Sequence, residues 1–198
     1  MVMTNDGGKG MDSLPADVAA IVEELAALAP RARALCAPLD DDALHAPAPD
    51  GGWSVALCLE HLVVSAHVYL APMRVALEAG RAAGRTRRGP IRPGLPSRMF
   101  LRQLEPPVKL KTPTLDVIRP AAQRASREDL LGRFERAHAD AILLLERNAD
   151  LDLDGVRFRN PLVAWLPWTT GVGFRILAAH GRRHLWQAEQ AAAAVGQR

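Results

Sequence analysis

Phe174-Arg-Ile-Leu-Ala-Ala-His180-Gly-Arg-Arg-His184-Leu-Trp-Gln187 is the stretch on which the fold turns. Phe174, Leu177, His180, His184 and Gln187 recur at steps of three and four, the repeat of one helix face. The spacing predicts a long last helix, capped by Thr169 or Thr170 and ending at Gly196. His180 and His184 project from the same side about one turn apart, so one ion can take both imidazoles. Taken alone, the pair also reads as ordinary surface or packed histidines, and a metal site needs a third ligand.

Three more helical patterns precede this one. Ser54 is the expected N-cap of a helix carrying Leu57, His61, Val64 and Val68 on one face and ending near Gly80. Ser126-Arg-Glu-Asp129 resembles a capping box with Asp in the usual Glu position, introducing Leu130, Leu131, Phe134, His138, Ala141 and Leu145. The first helix opens at Ser13-Leu-Pro-Ala-Asp17: Ser13 caps, Pro15 suits the first turn, and Asp17 complements the positive helix end. Val18, Ile21, Val22, Leu25 and Leu28 follow, and Pro30 is expected to kink the element before 31–36 resume it.

The connections are rich in helix breakers. Residues 38–52 and 148–167 read as loops, and 84–120 carries seven prolines, leaving Ser97 to Leu104 room for a turn or two. A connection that long covers a pocket or supports a dimer. Four amphipathic helices joined by loops make a bundle. The composition agrees, with 48% hydrophobic residues but only 5% aromatic, so the chain is expected to be all-α. One domain is expected over 12–198, after a disordered tail at 1–11.

Charge and cysteine usage narrow the function classes. A net charge of +3 does not by itself indicate nucleic acid. The run from Ala79 to Leu104 is locally basic, with Arg81, Arg85, Arg87, Arg88, Arg92, Arg98 and Arg102 and no acidic residue. It has no aromatic interleaving, so a solvated loop or a subunit contact is favoured over nucleic-acid recognition. Cys36 and Cys58 sit inside apolar helical patterns, which speaks against a disulfide framework or a zinc ribbon. With no signal-type core and no apolar run expected to reach the ~18 residues of a membrane span, a soluble cytoplasmic protein is expected.

His61 lies on an apolar stripe, where an unpaired ring would be costly to bury. Two readings stay open for it: a core histidine bonded to a hydroxyl or carbonyl, or a ligand. His67 stands about 240° around the helix from His61 and faces elsewhere. His138 reads as a bonded core residue, His45 as solvated and Cys58 as a small buried hydrophobe. Gln187 orients a ligand or faces solvent. Trp53, Trp165, Trp168 and Trp186 read as packing anchors, with Trp168 bordering the mouth of any site on the last helix.

Trp53-Ser54, His61-Leu62, Asn160-Pro161-Leu162 and His180-x-x-x-His184-x-x-Gln187, in this order, resemble the DinB-like superfamily. The resemblance implies an up-down-down-up four-helix bundle in which His61, His180 and His184 hold one divalent metal ion, with zinc or nickel foremost. Three imidazoles leave a tetrahedral ion one open position, the arrangement of catalytic sites. Some members of the superfamily use a low-molecular-weight thiol such as bacillithiol, mycothiol or glutathione. The resemblance therefore implies a metal-dependent thiol S-transferase acting on a small-molecule electrophile, and a homodimer. Metal-dependent hydrolysis and a noncatalytic, metal-binding stress-response role are the alternatives. No general base stands out. Arg182 or Arg183 meets an anionic group or is solvated. The Arg- and Pro-rich connection at 84–120 departs from the family pattern.

Overall fold

A computed structural model describes residues 14–49, 51–107, 114–121, 124–163, 166 and 168–195, and they are mostly helical. In chain order the helices are α1 (Ala16–Ala26), α2 (Leu28–Cys36), α3 (Asp41–His45), α4 (Val55–Ala82), α5 (Leu95–Leu104), α6 (Arg127–Glu146) and α7 (Thr170–Val195). Pro30 has the effect its chemistry requires: the helix stops at Ala27 and restarts at Leu28, with the proline in the new first turn. Ser13 lies outside the described residues, and Pro15 occupies the N-cap position of α1 with no side-chain cap bond.

The other expected caps are formed. Ser54 Oγ accepts from the Leu57 N–H at 3.2 Å, and Ser126 Oγ accepts from the Asp129 N–H at 3.2 Å. Thr169 Oγ1 accepts from the Val172 N–H at 3.4 Å, so Thr169 caps α7. α4 runs past Gly80 to Ala82. It stops where Gly84 takes φ +65°, a left-handed turn that glycine adopts without steric cost. The expected end of α7, Gly196, lies outside the described residues.

Segments expected to be irregular hold additional elements. α3 lies inside the 38–52 loop because Asp40 Oδ1 accepts from the Ala43 N–H at 2.8 Å, an N-cap bond. α5 starts two residues before Ser97, with Pro96 in its first turn, where the missing N–H costs nothing. A 3-10 turn spans Asp116–Ile118. β1 (Arg157–Phe158) and β2 (Trp168–Thr169) pair antiparallel, Arg157 opposite Thr169 and Phe158 opposite Trp168. Strands this short carry no readable alternation, so nothing in the local sequence announces them.

One core unites the long helices. α4 packs on α6 and α7, α1 and α2 each pack on the same two helices, and α5 lies along α7. Ile21 and Leu25 of α1, Leu59 and Met73 of α4, Phe134 and Leu145 of α6 and Phe174 of α7 are fully buried in it. The buried face of α4 is broader than the predicted stripe and includes Cys58, Leu62, Ser65 and Tyr69. Leu57, Val64 and Val68 sit at its half-buried margin. Contrary to expectation, α4 is long and apolar enough by composition to cross a membrane. Most of that apolar surface is buried against α6 and α7, as in the central helix of a bundle.

Polar ties join the long connection to the bundle. Asp17, in the first turn of α1, accepts from the Ile91 N–H at 2.7 Å and from Arg87 Nη2 at 2.5 Å. Arg81 binds Asp150 through both guanidinium nitrogens, at 2.9 and 2.8 Å. Part of the arginine run is therefore spent on internal pairing. Burial pushes the Asp17 carboxyl up, but the Ile91 amide and the Arg87 guanidinium outweigh it and hold it below its ordinary 3.8. A depressed carboxyl stabilises the fold above its unfolded pKa and ceases to do so as the pH falls through the folded one. Asp17→Asn should cost about 1–2 kcal/mol at neutral pH. That gap, measured by urea unfolding, should close below the carboxylate range; a gap unchanged in acid would contradict this account.

Candidate metal centre

α4 and α7 bring His61, His180 and His184 together, as the sequence and its family resemblance predict. One ring nitrogen from each lies within 4.8 Å of the others, so the cluster can hold a metal ion. The ring centroids are 4.9, 4.4 and 4.5 Å apart and the rings meet edge to face. The i, i+4 spacing on α7 stacks two of them, and the packing of α4 against α7 supplies the third.

His61 is the best defined of the three. It is 2% exposed, and its Nδ1–H donates to the Ile118 carbonyl at 2.7 Å. This bond sets the tautomer, leaving Nε2 with a lone pair that points at His180 Nε2, 3.2 Å away. Two nitrogens each about 2 Å from a tetrahedral zinc ion would lie about 3.3 Å apart, so the spacing fits a shared ion. A second observation agrees: His184 Nδ1 is buried with no hydrogen-bond partner among the described residues.

The electrostatics favour the ligating form. Burial, then the neighbouring His61, Arg183 and His138, lowers His180 to about 3. Burial followed by His180 and His61 lowers His184 well below its ordinary value, with Gln187 working in the opposite direction. Burial also lowers His61, against the pull of the Ile118 carbonyl. All three are neutral at neutral pH, as imidazoles must be to bind a metal.

Around the triad, Trp53 packs on His61 at 4.9 Å and stacks on His184 at 5.7 Å with 25° between the planes. The rings open onto a cleft of about 1770 Å³ among the described residues, walled by Trp53, Tyr69, Phe100, Leu115, Trp168 and Ile176. The described cleft wall also includes residues of α5 and of the 3-10 turn, the two elements inside the long connection. Covering a pocket was one of the two uses expected of it.

The sequence pattern of the DinB superfamily matches residues 16–188. The chain belongs to the DinB superfamily. The match spans all three histidines, and the helical fold is that of the superfamily. No curated protein and no solved structure matches the chain.

Within this DinB-superfamily protein the remaining candidates sort clearly. His67 is exposed on another face of α4. His138 is a buried core residue whose Nδ1–H donates to the Phe134 carbonyl at 2.8 Å. His45 is not simply solvated: it is half-buried, and its Nε2–H donates to the Ala125 carbonyl at 2.9 Å, because α3 turns it inward. Cys58 borders the cleft, but burial pushes its thiol up to about 12, which suits an inert hydrophobe. Arg182 is held by Glu24 at 2.9 Å and by Glu105 at 3.0 and 2.5 Å, so it is half-buried and committed to these two carboxylates rather than to an outside anion. Arg183 donates to the Gln103 carbonyl at 2.8 Å and lines the cleft. Trp165 lies outside the described residues.

Sequence reasoning missed two features. The Ile118 carbonyl is a backbone group inside a Pro-rich connection and has no side-chain signature. Trp53 is a wall of the centre itself rather than a distant anchor, and its place directly before the α4 cap was the available signal. Removing a ring should remove the ion. We expect His61→Ala and His180→Ala to lower the equilibrium metal affinity at least about tenfold, more than the loss of an outer partner. His67→Ala should retain wild-type affinity. Elemental analysis after dialysis against a metal buffer measures this, and equal metal content across the set would remove the triad from consideration.

Proposed function

We propose that this DinB-superfamily protein is a divalent-metal-dependent S-transferase that joins a low-molecular-weight thiol to a small-molecule electrophile. The observation that carries the reading is the pairing of three clustered, neutral imidazoles, two buried and His180 half-buried, with a large, mostly apolar cleft that they open onto. A closed four-ligand structural site would need no such access. Bound there, a zinc or nickel ion would supply Lewis acidity, favouring the thiolate of a thiol at neutral pH with one position left for it.

The protein's own groups set the stage. The Ile118 carbonyl holds the His61 proton on Nδ1 and so keeps Nε2 turned inward. Trp53 covers two of the rings and limits water on that side. In the reaction a carbon–sulfur bond forms and the carbon's bond to its leaving atom breaks, with the electron pair going to that atom. The leaving group of an alkylating agent departs and the thiol proton passes to solvent, whereas an opened epoxide keeps its oxygen, which takes up a proton. Glu105, the carboxylate on the described cleft wall, is bound to Arg182 and so does not serve as a base.

The test is conjugation of a panel of alkylating and epoxide electrophiles with glutathione, bacillithiol and mycothiol, using metal-loaded protein. Thioether formation should depend on one of these thiols and fall by at least about a hundredfold in His180→Ala, the scale of losing an activating group. Turnover that survives both the substitution and metal removal would overturn the proposal. Turnover that needs the metal but no thiol would replace it with hydrolysis.

A further inference from the structure

Away from the imidazoles, the cleft wall contains two polar side chains whose bonding capacity the described residues leave unused. Ser65 Oγ and Trp168 Nε1 are buried without a hydrogen-bond partner among the described residues. Ser65 is 1% and Trp168 5% exposed, and both line the cleft. Buried polar groups in folded proteins are nearly always satisfied, so an orphan on a cavity wall calls for a partner from outside the chain.

Their positions suggest what that partner is. Ser65 follows His61 by one helical turn, roughly 6 Å along the axis of α4, so it is the next step down the cleft from the triad. Helical serines commonly return the hydroxyl to the carbonyl four residues earlier, but Ser65 Oγ makes no such bond. Trp168 is held by the short sheet opposite Phe158. Phe158 meets the Tyr69 ring at 6.1 Å, one turn beyond Ser65. The Trp168 indole also packs on Phe100 at 5.4 Å. An indole N–H can only donate, so whatever satisfies it brings an acceptor. The side chains that Trp168 and Tyr69 meet, Phe100 and Phe158, are uncharged, as is Ile176. Of the arginines on the described wall, Arg102 is exposed and Arg183 is bonded to the Gln103 carbonyl, so an uncharged acceptor fits here better than an ionised one.

We infer that this arm is a specificity subsite for an uncharged, largely apolar small molecule bearing oxygen acceptors such as a carbonyl. Trp168 and Ser65 donate to its oxygen, and its body lies against Tyr69, Phe100 and Ile176. The assignment deepens the S-transferase reading and rests on it for the molecule's role, which is the non-reacting part of the electrophile.

The experiment compares two probes of nearly equal shape, 2-acetylnaphthalene and 2-ethylnaphthalene, by equilibrium dialysis against the metal-loaded protein. Wild type should bind the ketone roughly five- to tenfold more tightly than the hydrocarbon, the scale of one or two neutral hydrogen bonds. Trp168→Phe combined with Ser65→Ala should abolish that preference while hydrocarbon binding stays within about twofold. Phenylalanine keeps a ring in place and alanine suits a helix, so the double variant should stay folded and melt only a few degrees below wild type. Equal binding of the two probes by wild type, or a preference that survives in the double variant, overturns the subsite. Metal content is measured on the same samples. Lack of metal there counts against the metal reading alone, and lack of a ketone preference against the subsite alone.

Discussion

Imidazole is most comfortable in water, and the arrangement of this molecule follows from burying two of them, His61 and His184, beside a third, His180, that is half-buried at the cleft. Burial drives each ring toward its neutral form; His61 reinforces the effect at His180, and His180 and His61 do so at His184, because two imidazolium charges at this spacing would repel. Three neutral rings present lone pairs that cannot all be satisfied by one another. A Lewis acid resolves that conflict with one atom. His61 also needs a fixed orientation, which the Ile118 carbonyl supplies, and His184 retains a buried nitrogen with no partner among the described residues.

The scaffold around the rings is organised to hold α7 close. Gly181, between the two candidate ligand positions of α7, sits where a Cβ would collide with the Leu28 side chain of α2, so a larger residue there would force that buried leucine to move. Arg182, the next residue, spans Glu24 of α1 and Glu105 just past α5. Arg183 then reaches the Gln103 carbonyl at the end of α5. Four consecutive residues therefore serve, in turn, the candidate centre, a helix contact, a three-way ion pair and the cleft wall.

Much of this was readable from residue order. Periodicity and caps are local properties, and they placed α4 and α6 with their capping residues Ser54 and Ser126, and α7 with a cap at Thr169 or Thr170, of which Thr169 makes the bond. The His180 and His184 pair follows from helical spacing alone. Bringing His61 to it is a tertiary fact that spacing cannot express, and it entered through the family pattern. The elements that escaped were those decided by distant partners: the Phe158–Trp168 pairing, the inward turn of His45 and the 3-10 turn whose carbonyl meets His61. Arg182 escaped for the same reason, since its two carboxylates lie far from it in sequence.

The His61–Ile118 hydrogen bond has a thermodynamic corollary. It joins a candidate ligand to the 84–120 connection through one proton, so the two form a linked system. Whatever binds the triad and prefers His61 in its present tautomer also favours the turn that supplies the Ile118 carbonyl, by the same coupling free energy. The connection is thus both a covering for the cleft and a reporter of what occupies it. In such a system the affinity of the centre can be tuned from the connection without altering any of the three rings.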